Sequence, residues 1–133
     1  MDQTRITLTT DFGEGSPYVA QMKAAVMAVR PSALVVDITH SIPPQDVRRA
    51  ALVLNDVAPE FPDGTIHVCV VDPGVGTDRA IVYARIGTHR FIAPDNGLLS
   101  LLVRRFPCST LISLEDPKFC RTPVPSPVHG RDL

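Results

Sequence analysis

Residues 66–79 read Ile66-His67-Val68-Cys69-Val70-Val71-Asp72-Pro73-Gly74-Val75-Gly76-Thr77-Asp78-Arg79. The first six positions are mostly apolar and rich in β-branched side chains, which is typical of a strand buried on both faces. One proline and two glycines then turn the chain directly after Asp72. Because ligands of open α/β sheets bind beyond the carboxyl ends of strands, the stretch predicts a central strand followed by a functional loop.

The same loop also contains Arg79, whose guanidinium follows the carboxylate of Asp72 by seven residues. Two interpretations fit this pair. The residues form either a reactive constellation or an ordinary turn, in which Asp72 caps backbone amides and Arg79 makes a solvated ion pair.

Strand and helix patterns alternate along the rest of the chain. Ser16 and Pro17 predict the start of a helix that ends before Pro31, and Pro43-Pro44 introduces a second helix that ends near Pro59. A third helix is predicted over 97–105, and strands over 6–10, 33–38, 66–71, 80–86, 90–93 and 110–114. The pattern predicts an α/β domain, a mostly parallel central sheet flanked by helices in a Rossmann-like, three-layer arrangement.

Apolar residues recur at helical spacing in the first two helices. We expect both stripes to be core rather than binding surface. Their members are Val19, Met22, Val26 and Val29 in the first helix, and Val47, Ala50, Ala51 and Leu54 in the second. Strands 80–86 and 90–93 are predicted to form a hairpin through Gly87, Thr88 and His89.

Composition narrows the class of protein. The chain has 133 residues, 44% hydrophobic and 20% charged, with a formal net charge of −1, which predicts one globular domain without an electrostatic footprint for nucleic acid. No apolar run approaches the ~20 residues of a membrane helix, and no signal peptide is recognisable, so we expect a cytoplasmic protein that does not bind membranes. The three cysteines and four histidines lack metal-ligand spacing, so no metal site or disulfide is expected.

Asp11 follows the first predicted strand and precedes Phe12-Gly13, where glycine lets the backbone pass close to a ligand. A carboxylate in this place can accept two hydrogen bonds from a vicinal diol. An Asx turn after a strand is the alternative interpretation.

Five further motifs surround the Asp72 loop in a fixed order. They are Thr9-Thr10-Asp11-Phe12-Gly13, Asp37-Ile38-Thr39-His40, Ile42-Pro43-Pro44-Gln45-Asp46, Ala93-Pro94-Asp95-Asn96-Gly97-Leu98-Leu99 and His129-Gly130-Arg131-Asp132. Together with the Asp72 loop they resemble the adenosine-forming S-adenosylmethionine hydrolases, also called hydroxide adenosyltransferases, which are relatives of the S-adenosylmethionine fluorinases and chlorinases. The resemblance spans Ile6 to Asp132.

The resemblance implies an activity and an assembly. It implies an enzyme that converts S-adenosylmethionine, as substrate and without a cofactor, to adenosine and L-methionine. Residues 1–133 would be the N-terminal domain that binds S-adenosylmethionine, without the β-rich C-terminal domain of the family. The family builds each active site between neighbouring subunits of a homotrimer, and we expect the same for the full-length form.

The resemblance also implies roles for individual residues. Asp72, Arg79 and His129 match the set that holds the attacking water, and Asp11 matches the residue that grips the ribose hydroxyls. Substrate-binding roles extend to Phe12, Gln45 and Asn96; the Asn96 amide either reads an adenine edge or supports its turn. His40 could line the pocket.

Two other functions are compatible with this sequence. An S-adenosylmethionine-dependent halogenase shares the fold, although a carboxylate at Asp72 repels halide and favours water. A non-catalytic nucleoside-binding fragment is the alternative from a different class.

Overall fold

A six-stranded mixed sheet forms the centre of the protein, whose computed structural model describes residues 3–72 and 80–114. The strands lie in the order β2-β1-β3-β5-β4-β6. Their bounds are Arg5–Thr10 (β1), Leu34–Thr39 (β2), Ile66–Val70 (β3), Ile81–Ile86 (β4), His89–Pro94 (β5) and Cys108–Ser113 (β6). The helices are Pro17–Val29 (α1), Val47–Val57 (α2) and Ser100–Arg105 (α3), with a 3₁₀ turn at Ala58–Glu60.

The sheet is mostly parallel, as predicted. Strands β2, β1, β3 and β5 pair in parallel, and β4 runs antiparallel to both β5 and β6. The β4–β5 hairpin is therefore confirmed. Local signals explain the helix starts, because the Ser16 side chain accepts a hydrogen bond from the Tyr18 amide and the Asp46 side chain accepts one from the Arg49 amide.

Helices cover both faces of the sheet, which confirms the three-layer arrangement. On one face, Met22 of α1 packs with Leu8, Val68 and Val70. The opposite face carries the larger core, in which α2 and α3 cover side chains of β3, β4 and β5. Among the described residues, the longest helix is α1 with 13 residues, and none is long and apolar enough to cross a membrane.

Two of the detailed predictions were wrong. Val29 was expected in the core but is 83% exposed, because it is the last residue of α1 and no further turn packs beside it. His89 was expected in the hairpin turn but is the buried first residue of β5. Its placement depends on a partner from β3, which local sequence does not reveal.

A chain of hydrogen bonds crosses the sheet beneath α2 and α3 and explains why two histidines are buried there. The Thr7 hydroxyl lies 2.7 Å from Nδ1 of His67, and Nε2 of His67 lies 2.8 Å from Nδ1 of His89. The two rings are nearly coplanar, at 7°, with centroids 5.1 Å apart. That separation is the nitrogen–nitrogen distance plus the two ring radii, so the rings meet edge to edge through the hydrogen bond rather than face to face.

Burial keeps both rings neutral. Burial and, to a smaller extent, the adjacent His89 together lower the pKa of His67 to about 3. Burial also lowers the pKa of His89, although the Asp63 carboxylate and a hydrogen bond to the Phe61 backbone act in the opposite direction. Unfolding exposes both imidazoles to water and restores their ordinary affinity for protons.

We predict that acid destabilises the protein through His67. Between pH 6.5 and about 3 the unfolded state binds a proton that the folded state excludes, so the free energy of unfolding falls as pH falls through this window, by up to about 1.4 kcal/mol per pH unit. His67→Asn, whose amide stays near Thr7 but does not titrate, should have a shallower slope. Urea unfolding at several pH values measures both slopes, and equal slopes would contradict the assignment.

Candidate functional site

The strand order creates a switch point between β1 and β3. From β1 the chain passes through α1 to β2 on one side, whereas β5 and β4 lie on the far side of β3. In open α/β sheets such a point leaves a crevice at the carboxyl ends of the two strands. Thr10 pairs with Val70 there, and the Asp11 amide donates to the Val70 carbonyl at 3.4 Å. Asp11 follows β1, and Asp72 lies two residues beyond β3, so the fold brings both predicted carboxylates to this end of the sheet.

The backbone of Gln45 holds the Asp11 side chain in place. Oδ2 of Asp11 accepts a hydrogen bond from the Gln45 amide at 2.8 Å. Gln45 has φ of 65°, a left-handed conformation that is strained for a residue other than glycine and is often retained at ligand sites. Its side chain is exposed. The structure thus gives Gln45 a contact through its main chain, and its substrate-binding role stays a prediction.

Phe12 begins the loop after β1. Its amide donates to Oγ1 of Thr10 at 3.2 Å, and its ring lies 5.8 Å from the Tyr18 ring at 57°. Phe12 is half-buried against the core on the α1 side of the sheet, and Tyr18 is 39% exposed. Tyr18 was not among the predicted site residues, since its place in the first turn of α1 looks like ordinary helix surface.

Asp72 lies two residues beyond β3 and is only 6% exposed. Asn96 supports the same end of the sheet from β5: its Nδ2 donates to the Val71 carbonyl at 3.0 Å, and its Oδ1 accepts from the Leu98 amide at 3.2 Å. The Asn96 side chain therefore joins the segments after β3 and β5. This is the turn-supporting role that the sequence left open beside adenine recognition.

Arg79 and His129 lie outside the described residues, so their roles remain predictions. His40 is buried and hydrogen-bonded on both ring nitrogens, to Thr10 and to Asp37. Because its ring is buried and both ring nitrogens are hydrogen-bonded, His40 supports the site and does not line it.

Two other observations limit the chemistry of the described residues. Burial, together with the nearby Asp11 carboxylate, raises the pKa of the Cys69 thiol, so this thiol is neutral and a poor nucleophile. Within residues 3–72 and 80–114, no three His, Cys, Asp or Glu side chains are grouped so as to hold a metal ion.

One cavity of about 90 Å³ lies beside His89 and Phe106, at the opposite end of the strands, and is not lined by Asp11 or Asp72.

The fold and the site define an α/β domain with two carboxylates at the switch point of its sheet. The pattern of the SAM hydroxide adenosyltransferase N-terminal domain family, where SAM is S-adenosylmethionine, matches residues 6–133. The chain belongs to this family.

Individual relatives agree with this membership. The chain is 40% identical to the (R)-S-adenosyl-L-methionine hydrolase of Thermus thermophilus, over 93% of this chain and 51% of that protein. It is 29% identical to a fluorinase of Actinoplanes, over 74% of this chain and 41% of the fluorinase. A conserved, uncharacterised protein of Thermotoga maritima has the same fold, with a TM-score of 0.90 and 35% identity over 96% of this chain and 50% of that chain. The chain spans about half the length of these hydrolase relatives.

The hydrogen bonds of Asn96 predict a structural cost for its removal. Asn96→Ala leaves the Val71 carbonyl and the Leu98 amide without this partner, so the free energy of unfolding should fall by about 1–3 kcal/mol. Asn55→Ala is the control, because its side chain meets only the exposed Arg105 guanidinium and should cost less than about 0.5 kcal/mol. Urea unfolding compares the two. Unchanged stability with weaker adenosine binding would instead favour adenine recognition by Asn96.

Proposed function

We propose that this chain is the water-activating half of an enzyme that hydrolyses S-adenosylmethionine to adenosine and L-methionine. The observation that carries the proposal is that Asp11 and Asp72 follow β1 and β3, two neighbouring parallel strands, at the same end of the sheet. The names of the hydrolase relatives support the same reaction.

Asp11 binds the ribose in this proposal. Its Oδ2 is fixed by the Gln45 amide, and within the described residues Oδ1 accepts no hydrogen bond. A carboxylate held in this way is oriented before substrate arrives and can accept from both hydroxyls of a ribose diol. In our proposal the neighbouring Phe12, whose ring is half-buried, packs against the bound nucleoside.

Asp72 acts on the water. The sulfonium leaves as a neutral thioether, so cleavage of the bond between sulfur and the ribose 5′ carbon needs no general acid. Water is a much weaker acid than a carboxylic acid, so Asp72 does not deprotonate water before attack; it orients the water and accepts its proton as the carbon–oxygen bond forms. In our proposal Arg79 keeps the carboxylate ionised and His129 fixes a second hydrogen-bonding direction of the water.

Burial of Asp72 favours hydrolysis over halogenation. A halide must lose its hydration shell to attack, and a buried carboxylate at close range raises the energy of that anion. Neutral water experiences no such repulsion. The similarity to fluorinases makes the halogenase the second candidate, and the charge of Asp72 argues against it.

The proposal includes an assembly. As the family resemblance implies, a second domain supplies the methionine contacts, and three subunits each share a site with a neighbour. No cofactor takes part, because the positive charge on sulfur already activates the leaving group. Activity is therefore tested on the protein expressed from its complete reading frame.

We predict that water is the nucleophile. In heavy-oxygen water, the adenosine formed from S-adenosylmethionine should carry the label at its 5′-hydroxyl, as measured by mass spectrometry. Adenosine should remain the main product when chloride or fluoride is added. Unlabelled adenosine would exclude direct displacement by water, and a mainly 5′-halogenated nucleoside would show that the enzyme is a halogenase.

Two isosteric substitutions separate the roles of the carboxylates. Asp72→Asn removes the proton acceptor and should lower turnover by about 10²–10⁴-fold with little change in the affinity for substrate. Asp11→Asn should mainly weaken binding, because an amide accepts less strongly from the ribose hydroxyls. Steady-state kinetics and calorimetry on both variants provide the comparison. Exchanged phenotypes, or near-normal turnover of Asp72→Asn, would overturn the assignment.

A further inference from the structure

We propose that His40 is a positioning residue for the ribose site, acting through Thr10 and anchored by Asp37. The inference rests on the proposed function, because it concerns how the loop that carries Asp11 is held for substrate.

A continuous series of hydrogen bonds links the surface to this loop. Nζ of Lys23 lies 2.8 Å from Oδ2 of Asp37, and Oδ1 of Asp37 lies 2.8 Å from Nε2 of His40. Nδ1 of His40 lies 2.8 Å from Oγ1 of Thr10, which also accepts from the Phe12 amide at 3.2 Å. Asp11 lies between the last two residues, so both of its chain neighbours belong to the series.

The direction of each bond follows from the donors available. Burial would raise the pKa of Asp37, but hydrogen bonds from Lys23 and His40 lower it overall, so Asp37 is ionised and accepts from Nε2–H of His40. Nδ1 of His40 and the Thr10 hydroxyl share the next hydrogen bond. The oxygen of that hydroxyl remains an acceptor for the Phe12 amide.

His40 holds the same loop through its main chain. Its carbonyl accepts from the Gly13 amide at 2.8 Å, and its amide donates to Oε1 of Glu14 at 3.2 Å. Gly13 has φ of 96°, so the loop turns through a conformation available mainly to glycine. A single residue after β2 thus contacts the segment 10–14 at three places, through its side chain and both of its backbone polar groups.

Thr10 and His40 act indirectly, because Thr10 is 0% and His40 is 2% exposed. Neither side chain is accessible enough to meet substrate. What they control is the direction in which the chain leaves β1, and therefore the orientation of the Asp11 carboxylate toward its Gln45 anchor and the ribose. A small rotation of this turn would misplace a hydrogen-bond acceptor without removing it.

The alternative is that Thr10 and His40 are simply a buried polar pair that stabilises the sheet. Strand β1 provides an internal control for this alternative. Thr7 lies three residues earlier, is also 0% exposed, and is also bonded to Nδ1 of a buried histidine, His67. The Thr7–His67 pair lies within the sheet, away from the loop that carries Asp11.

The test is the matched pair Thr10→Val and Thr7→Val in the protein expressed from its complete reading frame. Both substitutions keep the shape of the side chain and deprive a buried imidazole of its hydroxyl partner, so both should reduce stability. Only Thr10→Val should raise KM for S-adenosylmethionine, by about tenfold, while kcat changes less than about threefold. His40→Asn, whose amide can meet Thr10 near the former Nδ1, should restore most of the affinity lost in His40→Phe.

Equal KM values for Thr10→Val, Thr7→Val and the unsubstituted protein would overturn the positioning role. A fall in kcat alone would do the same, because it would place the effect on the chemical step. The two threonine variants distinguish these outcomes even where a His40 variant fails to fold.

Amide hydrogen exchange separates this inference from the proposed function. In Thr10→Val the amides of residues 12 and 13 should exchange faster than in Thr7→Val, whatever the protein's substrate. An unsubstituted protein that does not consume S-adenosylmethionine, together with this difference in exchange, would refute the hydrolase while supporting the positioning of the loop. Equal exchange in the two variants would refute the positioning itself.

Discussion

The parallel pairing of β1 with β3 is the constraint on which the candidate site depends. Thr10 lies opposite Val70, so the segments that carry Asp11 and Asp72 leave the sheet side by side. Side chains alternate between the faces of a strand, and a shift of one residue in this register would move every side chain of β1 to the other face. The apolar core fixes the register, because Leu8 and Val68 face α1 while Cys69 faces α2 and α3. The packing that stabilises the domain thus also sets the positions of the two carboxylates.

Two connections of hydrogen-bonded side chains run through the sheet, and both start from β1. The Thr7–His67–His89 connection stabilises the interior but makes the protein sensitive to acid, because burial disfavours the protonated form of both imidazoles. The Thr10–His40–Asp37 connection instead reaches half-exposed groups, Asp37 and Lys23, whose side chains are 39% and 38% exposed. A buried hydroxyl that loses its partner costs more than the bond itself contributes. The Thr7 and Thr10 hydroxyls therefore fix the orientation of the groups they bond. Thr7 does so within the sheet, and Thr10 does so at the candidate site.

Local patterns in the sequence predicted most of the fold. The β-branched run before Asp72, the Ser16-Pro17 helix start and the hairpin at Gly87 each depend on neighbouring residues, and each was confirmed. The sequence predicted that Asp11 and Asp72 each follow a strand, but it did not predict that these two strands are neighbours. The errors have a different origin. Val29 fits the helical period but lies at a helix end, and His89 is buried through a partner on another strand.

The contacts that the sequence did not reveal join residues far apart in the chain. His40 meets Thr10 across 30 residues, and the Gln45 amide meets Asp11 across 34. Nothing in the side chain of Gln45 predicts that its backbone adopts a positive φ or that its amide contacts Asp11. The family resemblance pointed to Gln45 as a position, but its contact comes from the main chain.

The most direct test of the central claim is a crystal structure of the protein, expressed from its complete reading frame, with adenosine bound. The two-carboxylate account predicts that the ribose hydroxyls lie within hydrogen-bonding distance of Asp11 and that the 5′ carbon faces Asp72. Adenosine bound elsewhere, for example in the groove beside Arg49 and Val53, or bound at the crevice with its 5′ carbon toward Asp11 and its diol on Asp72, would contradict it.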